Sequence, residues 1–232
     1  MSRVDEYREA LRRLPRAQWA AYLDHHSGLP GPRANLALLR AAGDEGDAGW
    51  VARMAGSRDE FRAATGAAGL GRLLAHAPDE AIAGRLRELA ADPRWRVREG
   101  VAMGLQRLGD GAPERLWDLV RAWAVDDDPL VQRAAVAGMC EPRLLRSRSG
   151  SAVALEVCAT VTRRLAARPL SQRKDDGVRA LRQTLGYCWS VAVAADPGAG
   201  LPLFTALGQD PDPDVAWIVR ENWKKARLRP HR

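Results

Sequence analysis

An indole and a carboxylate lie one helical turn apart at Trp95 and Glu99, in a segment whose apolar residues recur with helical period. Val97, Val101 and Leu105 fall on one stripe of that helix, which predicts the face turned toward the core. Trp95 and Glu99 then project roughly opposite the stripe. A large aromatic side chain on the solvent side of a helix is unusual enough to indicate a function.

Two more residues that could take part in binding or catalysis align with this pair. When later copies of the same segment are superimposed, Arg133 and Tyr187 fall on the same face as Trp95 and Glu99. A carboxylate, a guanidinium and two aromatic rings on one surface are typical of a binding or active site. Each residue also has a purely structural alternative. Glu99 and Arg133 would form an ion pair between repeats, which adds little to the stability of the fold at a surface. Trp95 would pack against a neighbouring turn, and Tyr187 would lie at the rim of the core.

The elements that position these residues are helices. Alanine and leucine dominate, and aromatic residues make up 6% of the chain, a composition that favours helices over strands. Aspartate followed by proline predicts a helix start, because the carboxylate caps free amides and proline suits the first turn. This pair occurs at positions 92–93, 128–129 and 196–197, and twice in succession at 210–213.

The segment around Trp95 is repeated. Trp95-Arg96-Val97-Arg98-Glu99 recurs as Trp217-Ile218-Val219-Arg220-Glu221. Anchor positions at Phe61, Val97, Val131, Val178 and Val219 are separated by 36, 34, 47 and 41 residues. Two-helix repeats of the HEAT and armadillo kind have such spacings. We therefore predict an all-α, right-handed α-solenoid of about six HEAT-like helical repeats, in which residues 1–232 form a single domain.

Composition limits the partners. The net charge is +7, and almost all of the basic residues are arginines, whose planar forks suit phosphate. A polyanion is therefore an expected partner, although genome composition also favours arginine over lysine. Three cysteines without a CxxC pair predict buried free thiols in a reducing compartment. We expect no metal, cofactor or membrane segment, and a cytoplasmic monomer.

Residues 95–189 resemble the AlkD-type alkylpurine DNA glycosylases, which are HEAT solenoids of about this length. Residues 123–135 are similar to that family's Trp, Asp and then Gln-Arg-Ala-Ala run, whose arginine corresponds to Arg133. Trp95 and Glu99 resemble its tryptophan and, four residues on, its catalytic aspartate, with a gap of one residue. Tyr187 falls where the family has a groove tryptophan. Glu for Asp and Tyr for Trp are the departures.

The resemblance implies a protein that binds double-stranded DNA and excises N3- or N7-alkylated purines by hydrolysing the N-glycosidic bond. Glu99 would supply negative charge to the developing sugar cation, Trp95 and Tyr187 would stack on the nucleotide, and Arg133 would hold a phosphate. Further DNA contacts are expected from Arg62, Arg94, Arg96, Arg179, Trp217, Lys224 and Lys225. The alternative is a non-catalytic HEAT-repeat scaffold that binds nucleic acid or an acidic protein in its concave groove.

Overall fold

The computed structural model describes residues 1–231, and every regular element in that range is helical, so the all-α prediction is confirmed. No helix within this range is both long and apolar enough to cross a lipid bilayer. The α-helices are α1 (Arg3–Arg13), α2 (Trp19–His26), α3 (Leu36–Glu45), α4 (Ala48–Ala55), α5 (Glu60–His76), α6 (Glu80–Ala90), α7 (Trp95–Gly111), α8 (Pro113–Ala124), α9 (Pro129–Met139), α10 (Arg148–Ala166), α11 (Asp176–Ala195), α12 (Pro197–Leu207) and α13 (Pro213–Trp223). Short 3₁₀ segments lie at Arg16–Gln18, Pro142–Leu145, Gln172–Lys174 and Ala226–His231.

At three of the four places with aspartate-proline pairs, the predicted helix start is confirmed. Asp128, Asp196 and Asp212 are the N-caps of α9, α12 and α13, and each accepts a hydrogen bond from an amide in the first turn. Asp92 is the exception, because α7 begins two residues later than predicted. Its carboxylate instead accepts hydrogen bonds from the backbone and the guanidinium of Arg94.

The chain divides into two compact units, Met1–Ala112 (unit 1) and Pro113–Arg232 (unit 2). Within each unit, helices that follow one another in sequence pack as pairs, as expected for HEAT-like repeats. The single domain over residues 1–232, the right-handed solenoid and the number of repeats stay predictions.

In unit 1 the helices α3, α5 and α7 pack side by side, with α4 against α5 and α6 against both α5 and α7. Glycines bring α5 and α7 into backbone contact. A Cβ atom built on Gly71 would lie 1.9 Å from the carbonyl oxygen of Gly104, and one on Gly100 would lie 2.3 Å from that of Ala64. Only a residue without a side chain fits such an approach.

In unit 2 the helices α9, α11 and α13 form the corresponding row, with α8, α10 and α12 packed against them in turn. Aromatic residues fill part of this core. The Trp189 and Phe204 rings lie 5.6 Å apart between centroids, and the Trp189 indole donates a hydrogen bond of 2.9 Å to the Thr162 hydroxyl. The buried donor is therefore satisfied within the core.

The predicted repeat register is wrong by one turn in α13. This helix buries Val215 as its third residue, as α9 buries Val131, whereas the predicted anchor Val219 is only half-buried. A shift of four residues turns a side chain by only about 40°, so both registers look alike in sequence. Trp217 is consequently not the counterpart of Trp95.

The three cysteines lie buried in unit 2 as free thiols, as predicted. The Cys140 and Cys158 sulfurs are 3.6 Å apart. Hydrogen bonding to Cys158 and burial hold the pKa of Cys140 well above its ordinary value, and hydrogen bonding to Cys140 and burial do the same for the pKa of Cys188. Both shifts favour the protonated thiol at Cys140 and Cys188. Among the described residues, no group of three or more cysteine, histidine or acidic side chains is placed to hold a metal ion.

Candidate functional site

Trp95 begins α7 and is 46% exposed, so its predicted position on the solvent side is confirmed. The first turn of α7 is attached to α5, because the Arg96 amide donates a hydrogen bond of 2.9 Å to the Glu60 carboxylate of that helix. The Arg98 guanidinium carbon lies 5.6 Å from the centroid of the Trp95 ring. The indole is thus held at the surface of unit 1 by a capped and charged first turn.

Glu99 lies one turn after Trp95 and is partly exposed. Its carboxylate pairs with Arg96 of the same helix, at 3.0 Å. Arg96 also donates a hydrogen bond of 3.0 Å to the Pro32 carbonyl oxygen. The negative charge of Glu99 is therefore offset by a cation of its own helix, which weakens the field it presents to an external group.

A cleft of about 690 Å³, the Trp95 cleft, opens beside this turn within unit 1. It lies between the loop of residues 27–32 and the first residues of α5 and α7. Buried Phe61 and half-exposed Trp95 supply its aromatic surface. Its charged lining residues are Asp24, Asp59, Glu60 and Arg96. The cleft is therefore partly apolar and carries more acidic than basic groups.

All three arginines of unit 1 that were predicted to contact DNA have partners in the protein. Besides Arg96, Arg62 forms a two-pronged ion pair with Asp24, with Nε 2.8 Å from one carboxylate oxygen. Arg94 forms a similar pair with Asp92, at 2.6 Å, and donates to two backbone carbonyls of residues 57–58. The hydrogen bond from Arg94 lowers the pKa of Asp92. These guanidinium groups join neighbouring turns and loops.

The structure corrects the expected open position of Arg133. Its side chain lies among the buried residues of α9 and is only 6% exposed. Trp95 and Glu99 belong to unit 1, whereas Arg133 and Tyr187 belong to unit 2. The grouping of these four side chains around one groove therefore stays a prediction, as does the phosphate contact of Arg133.

Tyr187 is 44% exposed on α11, as predicted, and two cations flank it. Arg227 donates a hydrogen bond of 2.7 Å to the Tyr187 hydroxyl, and its guanidinium carbon lies 4.8 Å from the ring centroid. The Lys225 ammonium lies 5.8 Å from the same centroid. Both distances are within the range of cation–π attraction.

Trp217 lies on α13 against Gly186, the residue that precedes this tyrosine. A Cβ atom on Gly186 would lie 2.7 Å from the Trp217 ring, so the absence of a side chain at Gly186 leaves room for the indole. The Arg182 guanidinium carbon is 4.6 Å from the ring centroid and pairs with Asp214 at 2.7 Å. We call Tyr187, Trp217, Lys225 and Arg227 together the Tyr187 surface.

Sequence reasoning missed Arg227 and Arg182. The sequence could have indicated that Arg227 belongs to a basic surface, because residues 224–231 contain four basic residues and no acidic one. Of the other cations predicted here, Lys224 pairs with Glu221 at 2.6 Å. Arg179 is exposed, and its side chain forms no ion pair within residues 1–231.

Charge is distributed unequally between the units. Unit 1 contains 17 basic and 15 acidic residues, a net charge of +2. Unit 2 contains 19 basic and 14 acidic residues, a net charge of +5. Most of the positive charge of the protein thus belongs to the unit that carries the Tyr187 surface.

Residues 49–140 match the family described as HEAT repeats. No curated protein matches the sequence. Two crystal structures of engineered proteins are similar over 99% and 96% of this chain and 100% and 95% of theirs, at 16% and 17% identity with TM-scores of 0.38 and 0.36. Likeness at this level carries no functional argument. The protein is therefore an all-α protein of sequentially paired helices, and its residues 49–140 are similar to HEAT repeats.

Proposed function

We propose that the protein binds double-stranded DNA and that its C-terminal unit supplies the phosphate contacts. The observation that carries the proposal is the half-exposed Tyr187 ring with Arg227 and Lys225 within 6 Å of its centroid. Arginine and lysine are the usual partners of backbone phosphates, and an exposed aromatic ring packs against sugars or bases. The net charge of +5 in this unit supports the same partner.

An acidic protein is the competing partner for such a surface. DNA differs from it in the density and regularity of its charge, so that phosphate binding releases condensed counterions and depends steeply on salt. The Arg227 guanidinium is a fork that matches phosphate geometry, although one of its donors is already used by the Tyr187 hydroxyl. The salt dependence of binding therefore separates the two partners.

The test is the fluorescence anisotropy of a labelled duplex at several salt concentrations, with polyglutamate as the acidic competitor. Replacing Lys225 and Arg227 by alanine is expected to weaken duplex binding about tenfold and to reduce the slope against salt by about two. Arg12→Ala with Arg13→Ala removes two exposed arginines of unit 1 and should leave affinity nearly unchanged. Equal losses in both double variants, or stronger competition by polyglutamate than by unlabelled duplex, would overturn the proposal.

Excision of alkylated purines is a second candidate, favoured by the exposure of Trp95 one helical turn before Glu99. A departing N3- or N7-alkylated purine is cationic, so negative charge and an aromatic face near the sugar would stabilise the transition state. The ion pair of Glu99 with Arg96 reduces the charge available for this step.

The test for excision is the release of N7-methylguanine from methylated duplex. We expect release by the natural chain, its loss in Glu99→Gln, and its retention in Glu88→Gln, which removes an exposed carboxylate of α6 that also pairs with an arginine. Duplex binding without base release would leave DNA binding as the function and eliminate excision.

A further inference from the structure

We infer that the Trp95 cleft is a binding site for the cationic side chain of a partner peptide, an arginine or a lysine on an extended basic segment. This ligand has the opposite charge to DNA, and the cleft lies in unit 1, whereas the Tyr187 surface lies in unit 2. The inference does not rest on DNA binding by the Tyr187 surface, because the two sites share no residue; it is an alternative to excision, which would use the same Trp95.

The shape of the cleft carries the inference. Its volume of about 690 Å³ is within the range of sites that hold organic ligands. The loop of residues 27–32 forms one wall with Pro30 and Pro32, and Phe61 is buried beneath. Trp95 keeps 46% of its surface exposed while lining this hollow. An indole beside proline rings offers flat apolar surfaces on which the methylenes of a long cationic side chain pack.

The charge of the cleft favours a cation. Asp59 and Glu60 line it, and neither forms an ion pair with any residue of the described chain. Of the other carboxylates nearby, Asp24 pairs with Arg62, and Glu99 pairs with Arg96. Neither carboxylate therefore has a direct cationic contact, although Arg62 attracts Asp59 through space and Arg94 attracts both. They lie next to an exposed aromatic face.

These two carboxylates are also held in place. Asp59 is the N-cap of α5 and accepts a hydrogen bond of 2.8 Å from the Arg62 amide through one oxygen. Glu60 accepts a hydrogen bond of 2.9 Å from the Arg96 amide through one oxygen. Each carboxylate keeps its second oxygen for a ligand. A guanidinium or ammonium group in the cleft would donate charge-assisted hydrogen bonds to this fixed pair of acceptors.

An anion fits the cleft less well, although Arg96 is one of its lining residues. The Arg96 guanidinium already donates to the Glu99 carboxylate and to the Pro32 carbonyl oxygen. A phosphate would also lie against Asp59 and Glu60, which repel it. The open side of the cleft admits a peptide chain that passes over the surface and inserts one side chain.

The first experiment uses the whole chain and three capped tripeptides, Gly-Arg-Gly, Gly-citrulline-Gly and Gly-Glu-Gly. The readout is the NMR resonance of the Trp95 indole N–H, assigned by its loss in Trp95→Phe. We expect the arginine peptide to shift this resonance and to bind about tenfold more tightly than the citrulline peptide, which has the same shape without the charge. Equal binding of arginine and citrulline, stronger binding of the glutamate peptide, or no shift with any of them would overturn the inference.

The second experiment removes the charge without removing the caps. In Asp59→Asn with Glu60→Gln, each new amide keeps an oxygen that accepts the same backbone hydrogen bond. The matched control is Asp79→Asn with Glu80→Gln, the same dipeptide at the start of α6 and outside the cleft. We expect about a tenfold loss of arginine-peptide affinity in the first variant and none in the control.

Equal losses in both variants, or no loss in either, would show that the cleft carboxylates do not bind the peptide. Should the first variant fold poorly by circular dichroism, the citrulline comparison on the natural chain still decides the question. Duplex binding in the anisotropy assay should be unaffected by Asp59→Asn with Glu60→Gln, so a failure of this inference is distinguishable from a failure of DNA binding.

Discussion

The arginines considered for DNA contact have different surroundings in the two units. In unit 1, the arginines that the sequence predicted for DNA, such as Arg62 and Arg94, are bound to aspartates and backbone carbonyls of the protein. In unit 2, Lys225 and Arg227 border an exposed tyrosine, and Arg179 is exposed without an ion pair among the described residues. Among the arginines predicted to contact DNA, Arg62 and Arg94 thus stabilise loops, whereas Arg179 remains accessible. Its position on a helix indicates the direction of a side chain but not its partner.

The units also differ in how closely their helices approach. In unit 1, Gly71, Gly100 and Gly104 let α5 and α7 meet at backbone distance. In unit 2, the row of α9, α11 and α13 is spaced by side chains such as Trp217, which packs on Gly186. Rigid backbone contact and adjustable side-chain contact respond differently to an added methyl group.

The largest expected effect is that of Gly71→Ala. The new methyl group would lie 1.9 Å from the Gly104 carbonyl oxygen, so α5 and α7 must separate. We expect the free energy of unfolding in urea to fall by about 3 kcal/mol or more. Gly84→Ala on α6, where a Cβ meets no atom within 4 Å, is the control and should raise stability by about 0.5 to 1 kcal/mol. A Gly71→Ala protein as stable as the natural chain would contradict the backbone contact.

The next effect separates structural cations from accessible ones. Arg94→Gln breaks an ion pair with a largely buried aspartate and two hydrogen bonds to carbonyls, so stability should fall by about 1 to 2 kcal/mol while duplex affinity stays constant. Lys225→Ala should change stability by less than about 0.5 kcal/mol and weaken duplex binding about threefold. The measurements are urea denaturation and anisotropy on both variants. A loss of duplex affinity without a loss of stability in Arg94→Gln, together with the opposite result in Lys225→Ala, would contradict this distinction.

Gly186→Ala tests the adjustable contact in unit 2. The added methyl group meets the outer edge of the Trp217 ring at 2.7 Å, and the ring can tilt away. The expected loss of stability is about 1 kcal/mol, below that of Gly71→Ala, because a side chain moves in place of a helix. Displacement of Trp217 should appear as a change in indole fluorescence that Gly71→Ala does not mimic. A loss as large as that of Gly71→Ala would mean that Trp217 is held rigidly.

Sequence alone predicted most of the helices and the exposure of Trp95 and Tyr187, because caps and helical period are local signals. It did not predict that Arg62 pairs with Asp24, 38 residues away, since nothing local specifies such a partner. The register of α13 was misread because a four-residue shift nearly preserves helical phase. Arg227 was missed because it follows the last periodic helix, in the 3₁₀ segment.

The smallest expected effect is the pH dependence of the stability that the ion pair between Arg94 and Asp92 contributes. The hydrogen bond from Arg94 lowers the pKa of Asp92 in the folded state, so the folded protein binds this proton less readily than the unfolded chain. The contribution to stability is present above the ordinary aspartate pKa of about 3.9 and is lost as the pH falls through the folded value. Asp92→Asn should therefore cost more stability at pH 7 than at pH 3. Asp79→Asn is the control for the loss of a capping carboxylate, because Asp79 is an exposed N-cap of α6 that forms no ion pair within residues 1–231. An Asp92→Asn cost that is independent of pH would mean that Arg94 stabilises the turn at residues 57–58 through its carbonyl contacts alone, and that charge contributes little at this ion pair.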